Sequence, residues 1–348
     1  MKSLGFLPET IDDETSLEEL MSRPSKRSLE AISRTDGDLI ILGAGGKIGP
    51  NLAKFAKRVA TKARVEKKVM AVSRFRDSAS RKILEDSGVA TISCDLLDRE
   101  SVESLPDAAN VIYLAGMKFG ATSYQSLTWA TNVYIPALVA TRYRDSRIVV
   151  FSTGNVYPLV PVKSVGAKES LEPDPIGEYA QSCLGRERIF QYFSLRNGTR
   201  ILIFRLNYAV ELRYGVLLDV AKKVAEGKPI DLKMGYVNLI WQSDVNDAAV
   251  RCLDLCESPP KLLNVTGSEV ISVRWLAERF SEIFGRDPIF INVESDVALL
   301  SDSSEYRRIL GDPSVDLESM MRWVAHWISI GGRSLNKPTK FEVWNGRF

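Results

Sequence analysis

The sequence predicts an α/β protein with a doubly wound parallel sheet, followed by a smaller C-terminal region. Three observations predict it: short apolar runs alternate with stretches of helical periodicity, a glycine-rich turn follows the first run, and the composition is ordinary for a globular protein. Of 348 residues, 45% are hydrophobic and 26% charged, which is enough to form a large core. The pattern divides the chain into an N-terminal extension (1–37), a sheet domain (38–206), an interleaved smaller region (207–330) and a surface tail (331–348).

Six apolar runs supply the predicted strands of the sheet. They are Leu39–Leu42, Lys68–Val72, Val89–Ser93, Val111–Ala115, Ile148–Phe151 and Arg200–Arg205. Helical stretches separate them, and such crossovers place parallel strands side by side with helices on both faces. Before the first run, Ser16 and Glu19 have the spacing of a capping box and predict a short helix. This extension is expected either to lie on the surface or to pack on the domain or a partner subunit.

Charge and cysteine usage exclude several functions. Lysine and arginine number 46, against 44 aspartates and glutamates, so the net charge of +2 gives no field that would recruit nucleic acid or an anionic membrane. The four cysteines form no CxxC pair and no disulfide framework, which is typical of a reducing compartment. Since the chain has no h-region at its start and no apolar run of ~18 residues, we expect a cytoplasmic protein without a membrane span.

The single histidine excludes more chemistry than any other count. Ser-His-Asp hydrolysis, HExxH proteases and histidine-rich zinc sites would all depend on His326. Because this residue lies between Trp323 and Trp327 in an apolar, helix-like stretch, we expect it to be packed in the core. The sequence therefore predicts no metal site.

A glycine-rich turn after the first strand predicts a dinucleotide site. The residues Gly43-Ala44-Gly45-Gly46-Lys47-Ile48-Gly49 lie between a strand and a helix-like stretch. Gly43 allows the tight turn, Gly46 allows the backbone to approach a pyrophosphate, and Gly49 allows close packing of helix and strand. Free N–H groups at the helix N-terminus then face the pyrophosphate. We expect the whole loop, including Gly45, Lys47 and Ile48, to bind the cofactor of a Rossmann-type domain.

The residues after the second strand favour NADP(H) over NAD(H). NAD-binding domains usually place a carboxylate there to accept a hydrogen bond from the ribose 2′-OH. This chain has Ser73-Arg74-Phe75-Arg76, with no carboxylate and two arginines, which suits a 2′-phosphate. Ser73 and Arg74 are the predicted contacts, and NAD(H) remains the alternative.

Further segments follow in a fixed order and carry a resemblance. They are Ser93-Cys94-Asp95-Leu96, Tyr113-Leu114-Ala115-Gly116-Met117-Lys118, Thr131-Asn132-Val133, Phe151-Ser152-Thr153-Gly154-Asn155-Val156-Tyr157, Tyr179, and Leu263-Asn264-Val265 before Ser272-Val273. From Asp38 to Gly285 the chain resembles the extended short-chain dehydrogenase/reductases, the NAD(P)-dependent sugar epimerase/dehydratase group. The resemblance implies an enzyme that acts on a small-molecule carbohydrate. By analogy it also suggests a homodimer through the helices of Asn132 and Tyr179.

The resemblance also assigns roles to individual residues. Tyr179 occupies the place of the family's acid/base tyrosine, and Thr153 that of the catalytic serine or threonine. Cofactor contacts are implied for Asp95, Leu96, Ala115, Gly116, Lys118 and Asn132. Substrate contacts, mainly from the substrate-binding region 207–330, are expected from Lys118, Asn155, Asn207, Arg213 and Trp241.

The chain departs from the family most clearly at Cys183. The family places a lysine four residues after the tyrosine, and a thiol has no positive charge to replace it. Three interpretations stay open. Tyr179 acts with a charge from elsewhere, Lys118 and Arg186 being candidates; or catalysis is lost and the protein senses NADP(H); or Cys183 is itself a nucleophile.

Two other departures concern the substrate. Gly154 and Asn155 stand where the family's dehydratases have an Asp-Glu pair, so dehydration by that mechanism is not expected. The glycine-proline pair and the arginine that commonly hold a nucleotide diphosphate are absent from 209–214 and 236–245. The sequence thus favours an NAD(P)-dependent oxidoreductase or epimerase acting on a free sugar or sugar acid. A nucleotide-sugar epimerase and a non-catalytic NADP(H)-binding regulator are the alternatives.

Overall fold

The computed structural model describes residues 7–337 and 339–347. The first six residues of the predicted N-terminal extension, and positions 338 and 348 of the predicted tail, lie outside the described residues.

The strands are short, and those of the main sheet are almost entirely apolar. Their bounds are β1 Leu39–Leu42, β2 Val69–Ser73, β3 Ala90–Ser93, β4 Asn110–Tyr113, β5 Arg147–Thr153, β6 Val160–Pro161, β7 Arg200–Leu206, β8 Ala209–Val210, β9 Pro229–Asp231, β10 Tyr236–Val237, β11 Ile240–Trp241, β12 Lys261–Val265, β13 Ile271–Ser272, β14 Ile289–Ile291 and β15 Val297–Ala298.

The helices connect these strands and form most of the C-terminal region. Their bounds are α1 Glu14–Met21, α2 Lys26–Ser33, α3 Gly49–Ala63, α4 Ser78–Asp86, α5 Arg99–Glu103, α6 Gln125–Trp129, α7 Ile135–Arg142, α8 Gly177–Asn197, α9 Val216–Glu226, α10 Gln242–Arg251, α11 Val273–Phe284, α12 Ser304–Leu310 and α13 Leu317–Ser329. A π-helical turn, Ala130–Tyr134, joins α6 to α7, and 3-10 turns cover Gly154–Val156 and Cys252–Leu255.

Seven parallel strands form the main sheet in the order β3-β2-β1-β4-β5-β7-β12. The six predicted runs all become strands of this sheet, and β12 adds a seventh at its edge. The strand order reverses between β1 and β4, whose register pairs Leu39 with Asn110. In doubly wound sheets ligands bind at the carboxyl ends of the strands beside such a reversal. The predicted Rossmann-type fold is confirmed.

Alternate side chains of β1 enter two separate cores. Ile41 packs with α3 and α10 on one face of the sheet. Ile40 and Leu42 pack with α7 and α8 on the other face. This division follows from the two-residue period of a strand, and it explains why both faces of β1 are apolar.

The described part of the N-terminal extension packs on the rest of the chain. Ile11 and Leu17 are buried in the core that α9, α11 and α13 form. Ile32 of α2 joins the core below α3 and α10. Residues 7–37 therefore connect the two halves of the molecule.

His326 lies at the surface of α13 and not in its core, contrary to the expectation from its apolar neighbours. Its Nε2 is 2.6 Å from Oδ1 of Asp12, so the extension supplies its partner. Within the described residues, no group of three or more histidine, cysteine or acidic side chains has the arrangement of a metal site. None of the described helices is long and apolar enough to cross a membrane.

Candidate active site

The glycine loop at the end of β1 leaves room for a pyrophosphate. Gly43 has φ +87°, and a Cβ there would lie 2.6 Å from the nitrogen of Ala115. A Cβ at Gly49 would lie 2.3 Å from the carbonyl oxygen of Ala44. A Cβ at Gly46, in contrast, would meet nothing nearer than 3.6 Å. The first two glycines are needed for packing, whereas the exposed Gly46 borders open space that a ligand can fill.

The helix after this loop has free donors at its start. No side chain caps the N-terminus of α3, whose second residue is Pro50. The first backbone N–H groups of a helix have no intrahelical partner, and they attract anions. The loop and α3 therefore fit the pyrophosphate of a dinucleotide.

Lys47 of the same loop reaches the C-terminal region. Its Nζ donates to the carbonyl oxygen of Ala209 at 3.0 Å and lies 3.9 Å from the ring centroid of Tyr214. Burial lowers the pKa of Lys47 to about 7, although Glu211 opposes this effect. The glycine motif alone does not predict this contact between Lys47 and the C-terminal region.

The residues predicted to bind the adenosine part of the dinucleotide are mostly exposed. Arg74 and Arg76 are exposed, and neither forms an ion pair with another described residue. Ser73 lies beside the loop, since a Cβ at Gly45 would be 2.3 Å from its Oγ. Asp95 is also exposed, and its carboxylate accepts from the N–H of Leu97 at 3.1 Å, whereas Leu96 is buried.

Asn132 holds the loop that follows β4, and its side chain is not open to a ligand. Its Oδ1 accepts from the N–H of Met117 at 2.9 Å. Its Nδ2 donates to the carbonyl oxygen of Met117 at 3.0 Å and to Oγ of Ser182 at 2.9 Å. The residue is fully buried in the π-helical turn. Its predicted cofactor contact is thus replaced by a positioning role, because every polar atom of the amide is already bonded.

The structure brings Tyr179 and Thr153 together. Tyr179 lies in the first turn of α8, and Thr153 ends β5. Burial raises the pKa of Tyr179 far above its ordinary range, while Arg186 and a hydrogen bond with Thr153 lower it. Asn155 is held in the same place, because its Nδ2 donates to Oγ1 of Thr153 at 2.9 Å. A phenol and a hydroxyl at one strand end can share the oxygen of a substrate alcohol.

Cys183 is a buried, neutral thiol. It is fully enclosed in a small core with Val156 and Tyr157. Burial raises the pKa of its thiol, and the smaller opposite effect of Arg186 does not cancel this rise. The nucleophile interpretation therefore has no support, since the thiolate is the reactive form.

Lys118 lies beside the tyrosine. Its Nζ is 5.7 Å from the ring centroid of Tyr179 and 3.4 Å from the carbonyl oxygen of Thr339. Burial lowers the pKa of Lys118 to about 8, which Cys183 opposes. Ala115 and Gly116 lie in the same loop, at the carboxyl end of β4.

Two predicted substrate residues lie elsewhere. Trp241 is buried, with its ring centroid 5.3 Å from that of Trp323. Arg213 forms ion pairs with three carboxylates, at 3.1 Å, 2.9 Å and 3.1 Å, from Glu14, Glu18 and Glu211. The expectation of ligand contact is corrected for both, because an indole in a core cannot stack on a sugar and a guanidinium with three carboxylates is already neutralised.

Asn207 lies under the 3-10 turn of Gly154. Its Nδ2 donates to Oδ1 of Asn238 at 3.1 Å and to the carbonyl oxygen of Leu299 at 3.3 Å. A Cβ at Gly154 would be 3.0 Å from Oγ of Ser301 and 3.1 Å from Asn207. Amide and hydroxyl side chains therefore form the wall of the site around Gly154. They leave little room for a carboxylate at that position.

The C-terminal tail covers this wall, a feature that the sequence did not predict. Thr339 donates from N and Oγ1 to Oδ2 of Asp219, at 2.9 Å and 2.5 Å, and Phe341 is buried. Val343, Trp344 and Gly346 then complete a cavity with Asn155, Tyr157, Leu159, Ile176, Met234 and Leu299. Only ≈ 20 Å³ remains there, whereas sites for organic ligands usually measure roughly 300–1,000 Å³. The aromatic and aliphatic residues in this otherwise polar tail were the sequence feature that could have predicted its packing on the site.

Comparisons with known proteins agree with this architecture. The model of the NAD dependent epimerase/dehydratase family matches residues 39–265. No curated protein sequence matches the chain.

Three solved structures illustrate the structural likeness. MoeE5 in complex with UDP-glucose and NAD has a TM-score of 0.68 at 19% identity, with 85% of this chain and 99% of that chain covered. The UDP-glucose 4-epimerase of Thermus thermophilus with NAD gives 0.67 at 19%, covering 83% and 97%. The UDP-glucuronic acid 4-epimerase of Bacillus cereus with UDP-glucuronic acid and NAD gives 0.69 at 18%, covering 84% and 99%. At these identities the likeness establishes the fold, and the match to the family model establishes the family. The chain belongs to the NAD dependent epimerase/dehydratase family and is an enzyme of the extended short-chain dehydrogenase/reductase type.

Proposed function

We propose that the protein is a nucleotide-sugar epimerase that works with a bound nicotinamide dinucleotide. The observation that carries the proposal is the pairing of Tyr179 with Thr153 at the strand edge that also holds the glycine loop. The solved structures of similar fold support a sugar nucleotide over a free sugar, because two of the three contain UDP-glucose or UDP-glucuronic acid. The nucleotide part of such a substrate supplies binding energy away from the reacting carbon.

The residues of this chain supply the proton transfer. A dinucleotide held by the glycine loop and the start of α3 would supply reversible hydride acceptance at the carbon of a secondary alcohol. Tyr179 takes the proton of the alcohol and gives it back, and Thr153 hydrogen-bonds the same oxygen.

Dehydration is not part of the proposal. The 3-10 turn offers Gly154 and Asn155, and neither has a carboxyl group for acid/base work. Because Ser301 and Asn207 border Gly154 closely, a carboxylate at that position would have to displace them. These contacts support epimerisation or net redox chemistry.

For the dinucleotide we propose NADP(H). No carboxylate follows β2, and the guanidinium groups of Arg74 and Arg76 are exposed and not ion-paired among the described residues. NAD, which the similar structures contain, is the alternative. An epimerase regenerates the oxidised cofactor in every cycle, so it needs no external supply of either redox form.

The test is an incubation of the purified protein with NADP⁺ or NAD⁺ and either UDP-glucose, UDP-glucuronic acid or the free sugars. Proton NMR of the products separates an epimer from the starting sugar, and absorbance of the reduced nicotinamide detects net oxidation. We expect an epimer from a UDP-sugar, with Tyr179→Phe slower by ~10²-fold or more. Epimerisation of a free sugar alone, or turnover by Tyr179→Phe at the wild-type rate, would contradict the proposal.

We also propose a homodimer through α6–α7 and α8. Trp129, Tyr134, Tyr192 and Leu195 on these neighbouring helices are exposed apolar side chains. Exposed apolar side chains on neighbouring helices are typical of protein interfaces. Analytical ultracentrifugation should show that the wild-type protein is a dimer and that Tyr192→Glu is a monomer. The control Ile283→Glu, on α11, should remain a dimer. A monomeric wild type would refute the interface.

A further inference from the structure

Arg186 is a buried cation without a carboxylate partner among the described residues. It is 5% exposed. Its Nη1 donates to the carbonyl oxygen of Phe151 at 2.8 Å, and its Nη2 donates to Oδ1 of Asn132 at 2.8 Å. Its Nε is buried without a hydrogen-bond partner. Both of its acceptors are neutral, so the charge itself is not compensated.

Glu187 is the carboxylate that interacts electrostatically with Arg186, and it is already paired with another arginine. Glu187 follows Arg186 on α8, but its Oε2 is 2.6 Å from Nη2 of Arg205, and Ser152 donates to its Oε1. An unpaired buried charge costs several kcal/mol, and a fixed charge in a site without water strongly stabilises an opposite charge that forms during reaction. The groups that interact electrostatically with Arg186, besides Glu187, are Cys183, Tyr113 and Tyr179.

The position of Arg186 on α8 directs its guanidinium toward the end of the helix that carries Tyr179, with which it interacts electrostatically. It comes seven residues after Tyr179 and three after Cys183, and helical side chains lean toward the N-terminus of their helix. The guanidinium ends at the loop after β4, where a Cβ on Gly116 would be 2.5 Å from its Nη2. The absence of a side chain at Gly116 therefore makes room for the longer arginine.

We propose that Arg186 does the electrostatic work of the absent lysine, by holding a permanent positive charge that stabilises the phenolate of Tyr179. This inference rests on the acid/base role of Tyr179 in the proposed function. Arg186 acts through the tyrosine and is a positioning residue. The thiol of Cys183 is neutral, so the positive charge that stabilises Tyr179 has to come from another residue, and Arg186 lies three residues later on the same helix.

Lys118 is the competing cation, and it fits the role less well. Its ammonium lies 5.7 Å from the ring centroid of Tyr179 and donates to the tail. Burial lowers the pKa of Lys118 to about 8, so its charge disappears as the solution becomes basic. A guanidinium stays protonated throughout this range.

The first test measures Tyr179 directly and needs no substrate. We would place 3,5-difluorotyrosine at position 179, because fluorine lowers the phenol's pKa into a measurable range, and follow its ionisation by ¹⁹F NMR. We expect Arg186→Met to raise the midpoint by about one pH unit or more, as loss of a nearby opposite charge does. Lys118→Met should raise it less. Equal midpoints for wild type and Arg186→Met, or a larger effect of Lys118→Met, would overturn the proposal.

Two further variants separate charge from architecture. Arg186→Lys keeps the charge and loses the forked contacts with Phe151 and Asn132, so its midpoint should stay near that of the wild type. The double variant Cys183→Lys/Arg186→Met restores the lysine of the family motif, so its midpoint should return toward the wild-type value. If Arg186→Met does not fold, Arg186→Lys still decides, because a midpoint raised although the charge is kept would show that Arg186 is structural only.

The second test uses the reaction. The rising limb of the pH–rate profile, which reports deprotonation of Tyr179, should move to higher pH in Arg186→Met, with about 10-fold or greater loss at pH 7, and move back in the double variant. If no UDP-sugar is turned over, the proposed substrate fails while the NMR midpoints still report on Arg186.

Discussion

Lys118 donates a hydrogen bond to the carbonyl oxygen of Thr339, 3.4 Å away, and so connects the loop after β4 to the C-terminal tail. The tail continues over the candidate site, where Trp344 and Val343 complete the cavity beside Asn155. A substrate that enters this cavity has to displace the tail. Loosening the tail should therefore strengthen substrate binding.

Trp344→Ala should tighten the binding of UDP-glucose. Lys233 lies 5.6 Å from the centroid of the Trp344 ring, and a cation–π contact at such a site is worth about 0.5–1 kcal/mol. Its loss corresponds to about 2- to 5-fold in Kd, measured by isothermal titration calorimetry. Trp275→Ala, at an exposed tryptophan of α11, is the matched control. Weaker binding by Trp344→Ala alone would mean that the tail helps to hold the substrate.

Gly46→Val should abolish dinucleotide binding without unfolding the protein. A Cβ at Gly46 meets nothing within 3.6 Å, so a side chain fits the apoprotein but fills the space of the pyrophosphate. Fluorescence titration with the reduced cofactor measures affinity, and circular dichroism checks the fold. Gly49→Val is the contrasting variant, because a Cβ there lies 2.3 Å from Ala44 and should destabilise the protein itself. Unchanged affinity in folded Gly46→Val would remove the cofactor site from this loop.

Arg74→Ala should weaken NADP(H) selectively. A charge-assisted contact with the 2′-phosphate is worth roughly 1.5–3 kcal/mol, so the Kd for NADP⁺ should rise by about ten-fold or more while that for NAD⁺ changes little. Arg76→Ala gives the secondary effect. Equal losses for the two cofactors would show that Arg74 does not read the 2′-phosphate.

Lys47 should make the free energy of unfolding rise with pH above 7. Burial lowers its folded-state pKa from 10.5 to about 7, so between these values the unfolded chain binds a proton that the folded chain has lost. Stability then increases with pH in this window, by at most about 1.4 kcal/mol per pH unit. Urea unfolding from pH 7 to 8.5 should give a smaller slope for Lys47→Met than for the wild type. Lys62→Met, at the exposed end of α3, is the control and should keep the wild-type slope.

The sequence by itself determined the sheet and the place of its chemistry. Apolar runs such as Leu39–Leu42 have the length and burial of parallel strands, and Gly43 and Gly49 are needed by contacts within a few residues of β1 or with its neighbouring strand. Tyr179 and Thr153 were found because the family motif fixes their spacing along the chain. These features belong to short motifs, so a pattern along the chain is enough to predict them.

Only the tertiary structure decided which side chains face the site. Arg213 pairs with Glu14 of the N-terminal extension, 199 residues earlier, and Trp241 packs on Trp323. The tail reaches Asp219 through Thr339, and Arg186 has no carboxylate partner among the described residues because Glu187 is paired with Arg205. Charge and aromaticity in a sequence do not specify a partner. The partner is chosen when distant segments pack together and water is excluded from the groups between them.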